Sequence, residues 1–92
     1  MIGSYVVYKS NTYLVVRESE GMILLLSPEK GKVQVLASSV TKTNLRPAKQ
    51  VRYRQTHYLV TGKGLIVSLT TCKVMRWLNT DGNRLAILAL AK

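Results

Sequence analysis

Short apolar runs, separated by polar and glycine-bearing breaks, succeed one another along this chain at the spacing of a small β meander. Tyr5-Val6-Val7-Tyr8 leads through the turn-like Lys9-Ser10-Asn11 into Thr12–Arg17. Glu18-Ser19-Glu20-Gly21 breaks the pattern before the apolar run Met22–Leu26. Ser27-Pro28-Glu29-Lys30-Gly31 is a strong turn, because proline presets φ and glycine accepts positive φ. Lys32–Leu36 then resumes, with Val33 and Val35 on one face.

The middle of the chain is less regular. Ala37-Ser38-Ser39-Val40 has the length of the single helical turn that closes small barrels, and Thr41–Leu45 reads as a strand before Arg46-Pro47. Asn44–Gln50 is the one weak joint, and no internal repeat or low-complexity segment stands out. Val51–Thr61 reads as one longer strand, and Gly62-Lys63-Gly64 turns the chain into Leu65–Leu69. Cys72–Leu78 fits either a strand or a short helix capped by Thr71, with Val74, Trp77 and Leu78 on one side. Asn79–Asn83 holds an Asp-Gly pair, a hairpin signal. Arg84–Leu90 suits a helix almost as well as a strand, and the strand is preferred for both segments.

Valine, isoleucine, threonine and tyrosine dominate the apolar positions and phenylalanine is absent, a β-like usage. The expectation is an all-β single domain over residues 1–92: a small five-stranded open barrel with an additional C-terminal strand or short helix. At 92 residues a monomer is marginal, so self-association edge to edge is a natural way to bury more surface. At 47% hydrophobic the chain is too apolar for a disordered basic tail. Cys72 stands alone, which excludes an intramolecular disulfide framework and a multi-cysteine metal site, and fits a reducing, cytoplasmic setting. The N-terminus lacks the pattern of a signal peptide, and the apolar runs fall far short of the roughly 20 residues of a membrane span.

Charge changes the picture. From Lys30 to Thr80 the chain holds ten lysines and arginines and no aspartate or glutamate, and its formal net charge is +10. A single-sign surface repels itself, so its retention points to a polyanionic partner, and nucleic acid is the commonest.

Two pieces resemble the Sm-like family of small RNA-binding barrels that assemble into rings, including its members in marine phage. Val6–Leu26, with an acidic break before Gly21-Met22 and an apolar strand, is similar to the first Sm motif. Leu59-Val60-Thr61-Gly62-Lys63-Gly64-Leu65-Ile66-Val67-Ser68-Leu69 resembles the second, in which apolar residues flank Arg-Gly-Asp or Arg-Gly-Asn. The resemblance covers about a third of the chain and implies a five-stranded barrel, ring assembly and nucleic-acid binding by loops. Where the family has its arginine and its acid or amide, this chain has Thr61 and Lys63; the asparagine after the methionine is Ile23. The base-stacking residue of the first motif has no equivalent beside Glu20 and Gly21, so the family's uridine pocket is not carried over. Tyr58–Leu69 is also similar to a DNA-binding repeat of some homing endonucleases.

The candidate contacts are Arg46, Lys49, Arg52, Tyr53, Arg54, His57, Tyr58 and Lys63, with Lys73 and Arg76 extending the basic surface and Arg84 weighed beside them. On a strand, Arg52 and Arg54 would share a face roughly 7 Å apart, near the repeat of a phosphate backbone. Tyr53 or Tyr58 would stack on an unpaired base; otherwise they belong to the core. Lys63, between two glycines, can approach phosphate closely or simply keep a hairpin tip soluble. Trp77 reads as a core anchor, and His57 lacks metal-ligand company. Four separated carboxylates argue against an enzyme, and no cofactor or metal is expected. The reading is a non-catalytic, homo-oligomeric nucleic-acid binder, RNA before DNA, with weak sequence preference. The alternative is an adaptor, for instance phage-associated, whose basic face docks an acidic protein.

Overall fold

Tight turns between short strands set this structure, a computed structural model that describes all 92 residues. The chain divides into two compact units, Met1–Pro47 and Ala48–Lys92, and the division falls inside the expected joint. No helix is long and apolar enough to cross a membrane.

The first unit is a five-stranded antiparallel sheet: β1 (Tyr5–Tyr8), β2 (Asn11–Ser19), β3 (Met22–Ser27), β4 (Gly31–Leu36) and β5 (Thr41–Lys42), in the order β4-β3-β2-β1-β5. A 3-10 turn at Ala37–Ser39, where a helical turn is predicted, returns β5 to β1. Pairing of Tyr8 with Asn11 leaves Lys9 (φ 48) and Ser10 (φ 66) as a two-residue loop, and Ser19 with Met22 leaves Glu20 (φ 50) and Gly21 (φ 79). Positive φ at both central residues marks the type I′ turn, whose twist matches that of the strands. The predicted Ser27–Gly31 turn forms with Ser27 Oγ accepting from the Glu29 and Lys30 amides at 3.3 and 3.2 Å.

Val6, Tyr13, Val15, Ile23, Leu25 and Val35 form the core of this sheet, following the period-two alternation of each strand. A β-bulge interrupts the alternation at Val16: Val15 pairs with Leu25 and Arg17 with Leu24. Two residues then oppose one, which lets Tyr13, Leu14, Val15 and Val16 all be buried in succession.

The second unit is a four-stranded antiparallel sheet, β6 (Lys49–Tyr53), β7 (Thr56–Val60), β8 (Ile66–Ser68) and β9 (Lys73–Val74), in chain order, with helix α1 (Gly82–Leu90) packed on β6 and β7. Its core joins Val60, Ile66 and Ile87, with Val51, Tyr53, Tyr58, Met75 and Trp77 packed against them.

Several expectations are corrected here. The predicted strand Val51–Thr61 is a hairpin, because Arg54 (φ 49) and Gln55 (φ 65) form another two-residue turn. The preferred strand at Arg84–Leu90 is a helix: the Asp-Gly pair is its N-cap and first residue, and Asp81 Oδ1 accepts from the Asn83 amide at 2.8 Å. Once capped, a leucine- and alanine-rich segment follows its helix propensity. Cys72–Leu78 is strand only at Lys73–Val74, and the rest is neither strand nor helix. The β-rich character holds, with the strands in two antiparallel sheets, five- and four-stranded, and one of the two segments likened to Sm motifs in each.

The two units also repeat one plan, which the sequence reading does not find. Val6, Tyr8, Tyr13, Leu14 and Val15 correspond to Val51, Tyr53, Tyr58, Leu59 and Val60, all 45 residues later. Both first hairpins turn through a non-glycine pair at positive φ, and both place the turn's cation on the preceding tyrosine. Lys9 Nζ lies 5.4 Å from the Tyr8 ring centroid and Arg54 Cζ 5.3 Å from that of Tyr53. Beyond the next hairpin, whose strands are shorter in the second unit, the offset is 41: Ser27, Gly31, Lys32 and Val33 correspond to Ser68, Cys72, Lys73 and Val74. Ser68 Oγ accepts from the amide three residues on, Thr71, as Ser27 does, and Cys72 adopts the positive φ (55) of Gly31 (79).

A non-glycine residue at positive φ costs about 1 kcal/mol or more, and an exposed cation–π contact returns about half of that. Replacing Arg54-Gln55 by Asn-Gly is therefore expected to stabilise the protein by about 1 kcal/mol net, seen as a higher urea midpoint at unchanged slope. A lower midpoint would show that the turn stores no such strain.

Candidate nucleic-acid interface

Every one of the ten cations between Lys30 and Thr80 is exposed. On the second sheet, strand register explains this for Arg52. Val51, Tyr53, Tyr58 and Val60 share the face that packs on α1, so Gln50, Arg52 and His57 take the other. Arg52 and His57 are direct cross-strand partners, and Gln50 Nε2 lies 3.4 Å from His57 Nδ1. These three form a polar, cationic patch on one hairpin.

The expected same-face ladder of Arg52 and Arg54 does not form. Arg54 occupies the turn, where its positive φ takes it out of the strand's alternation and over the Tyr53 ring. Tyr53 itself is engaged: its hydroxyl donates to Asn83 Oδ1 at 3.1 Å and ties the hairpin to the start of α1. Tyr58 is half-buried and tilted against Trp77, with ring centroids 6.0 Å apart at 55°. Both tyrosines thus serve the second unit's core, the alternative weighed for them in the sequence.

Lys49 and Lys73 lie on opposite edge strands, β6 and β9, while Arg76 follows β9 in an irregular segment. Arg46 belongs to the first unit, just before its end. The nine predicted contacts of the second unit therefore occupy two edge strands, one hairpin face, the core, two turns and an irregular segment, and do not gather in one pocket.

Lys63 stands apart from this distribution. Its loop is braced at both ends by Thr61: the Thr61 amide donates to the Leu65 carbonyl at 2.9 Å, and Thr61 Oγ1 accepts from the Leu65 amide at 3.0 Å. Gly64 completes the turn at φ +83, and a side chain built at Gly62 or Gly64 would enter open space. Beside this loop is a cleft of about 200 Å³ lined by Lys63, Met75, Trp77, Asn79 and Arg84 among others. Arg84 Nη1 donates to the Asn79 carbonyl at 3.2 Å, which anchors the guanidinium at the cleft.

Sequence reading brings out Lys63 but not this company. Trp77 is both core residue and cleft wall, and Arg84, weighed only as an extension of the basic surface, is a lining cation. The missed signal was the Asp81 cap, since a helix beginning there places Arg84 in its first turn, next to the Asn79 carbonyl. Comparison with family models, curated proteins and solved structures returns no match.

The engaged Tyr53 hydroxyl generates a test. Tyr53→Phe keeps the ring under Arg54 but leaves Asn83 without its donor, at an expected cost of about 1 kcal/mol in chemical denaturation. An unchanged unfolding midpoint would show that the hydroxyl is free.

Proposed function

We propose that this protein binds nucleic acid through its basic surface, RNA in preference to DNA, and catalyses no reaction on it. The observation that carries the reading is the exposure of all ten cations in a stretch that contains no carboxylate. Arginine and lysine held in this way gain affinity by releasing counterions from phosphate, without reading base edges. The preference for RNA rests on the resemblance to the Sm-like family. In support of a small-barrel reading, the first unit is a four-strand meander whose 3-10 turn returns β5 to β1. Self-association is the companion proposal: β4 and β6 end their sheets, and edge strands are where a second copy would pair.

The four acids support the non-catalytic part. Glu18 lies 3.2 Å from the Met1 ammonium, Asp81 caps α1, Glu20 sits in a turn and Glu29 in a loop. A general acid–base pair needs two carboxylates converging on one site.

The alternative adaptor reading draws on one observation. Leu78, Leu85 and Leu90 are exposed on the second unit (78%, 52% and 53%), and apolar groups beside cations suit an acidic protein partner.

Titration of a labelled single-stranded RNA over a salt series separates the two. With roughly six phosphate contacts, log affinity should fall with log salt at a slope of about −4 to −5, and Arg52→Ala should flatten it by about 0.7. No binding at low salt, or a response flat in salt, would remove the nucleic-acid reading. Capture of one acidic protein without RNA binding would favour the adaptor.

A further inference from the structure

We propose that the cleft beside Lys63 seats one unpaired nucleotide of the bound strand, its base against Trp77 and its phosphate between Lys63 and Arg84. The inference rests on the nucleic-acid reading and assigns it a specific seat. Three features of the cleft carry it.

The first is charge. Two cations line the cleft and no carboxylate does; Asp81, nearby in sequence, directs its carboxylate to the Asn83 amide. Arg84 is held by the Asn79 carbonyl through one N–H, so its other donors are already positioned for an oxygen pair. Lys63 supplies the second charge from a glycine-flanked turn whose backbone an anion can approach.

The second is the indole. A phosphate alone has no use for an aromatic wall. Trp77 is braced by Tyr58, so stacking a base on it requires little further ordering. At about 200 Å³ the cleft is smaller than the roughly 300–1,000 Å³ of pockets that enclose a drug-sized ligand. It accepts one planar ring, with the sugar and phosphate at its mouth. A base paired in a duplex is already stacked and must be flipped out to reach such a wall, so single strands are selected.

The third is the internal comparison. Between its second and third strands the first unit has only the two-residue turn Glu20-Gly21, whereas the second unit has the five-residue loop 61–65 with Lys63 at its centre. The longer loop and its cation belong to the second unit alone, which assigns the anion seat to that unit. Lys63→Glu reverses this charge at an exposed loop position outside the core.

Trp77 is the single tryptophan of the chain, so its emission reports on this cleft alone. The experiment titrates the full chain with a short single-stranded oligonucleotide, following tryptophan emission and oligonucleotide anisotropy together. Parallel arms use an abasic sugar–phosphate strand of equal length, a duplex and inorganic phosphate. Only the base-bearing single strand is expected to quench Trp77. Lys63→Glu, with folding verified by circular dichroism, should weaken binding of that strand about tenfold and shift the quench to correspondingly higher concentration. Trp77→Leu should weaken it roughly 5- to 150-fold; Lys63→Glu keeps the test decisive if loss of the core tryptophan impairs folding. Binding seen by anisotropy with unchanged emission would overturn the seat while leaving the basic-surface reading intact. Equal quenching by the abasic strand, the duplex or phosphate would overturn it as well. Absence of binding in both readouts would remove both proposals.

Discussion

Strand register is the constraint from which the rest of this structure follows, and two-residue turns set it. In a hairpin closed by a type I′ pair, the residues on either side of the loop must face each other, and every later pair follows. Because side chains alternate with a period of two, a slip of one residue would exchange the faces of the whole hairpin. Val51, Tyr58 and Val60 would then turn to water, and Arg52 and His57 to the core. Burying an unpaired guanidinium is far more costly than the strain at Arg54 and Gln55, which is how a turn without glycine persists. The first unit solves the same problem with Lys9 and Ser10 at nearly the same φ values.

The cation at each of these turns links the backbone to the charge pattern. Lys9 and Arg54 rest on the tyrosines that precede them, a contact available because the positive-φ residue carries its side chain away from the strand's alternation. The turn therefore gains stabilisation from the feature that costs it strain. It also removes Arg54 from line with Arg52, so the hairpin presents its cations in different directions. Spreading like charge over turns and edges lowers self-repulsion, since separations beyond about 8 Å are screened at physiological salt.

Much of the first sheet was legible in its residues. Asn11, Gly21, Pro28 and Gly31 mark breaks at which turns occur, and the apolar runs between them are strands. Arg54-Gln55 carries no such mark; its turn is imposed by pairing and core burial, so Val51–Thr61 looked continuous. Asp81-Gly82 is ambiguous in itself, because the same dipeptide caps a helix or closes a hairpin. The helix propensity of the segment that follows, and the packing of Ile87 with Val60 and Ile66, side with the helix. The repeat was present as Val-x-Tyr-Lys/Arg followed by Tyr-Leu-Val, but its offset changes from 45 to 41 across one hairpin, and no constant period connects the halves. The cleft was hidden for a related reason: Lys63, Trp77 and Arg84 lie on a loop, an irregular segment and a helix that only tertiary packing brings together.

The divergence of the two units within one plan separates two uses of positive charge. Exposed lysines and arginines on strands and turns attract a polyanion from any direction, and each contact costs side-chain freedom when it forms. Arg84 differs, since its hydrogen bond to the Asn79 carbonyl has already restricted it in the folded protein. On the proposed reading, long-range attraction would supply affinity without position, while one anchored cation beside one braced indole would supply position with little added entropy cost. Where the first unit closes its sheet with β5, the second ends in α1, and α1 is the element that carries Arg84 to the cleft. On the proposed reading, a helix in place of a strand after the fourth strand of the repeat is what would distinguish a general basic surface from a defined seat.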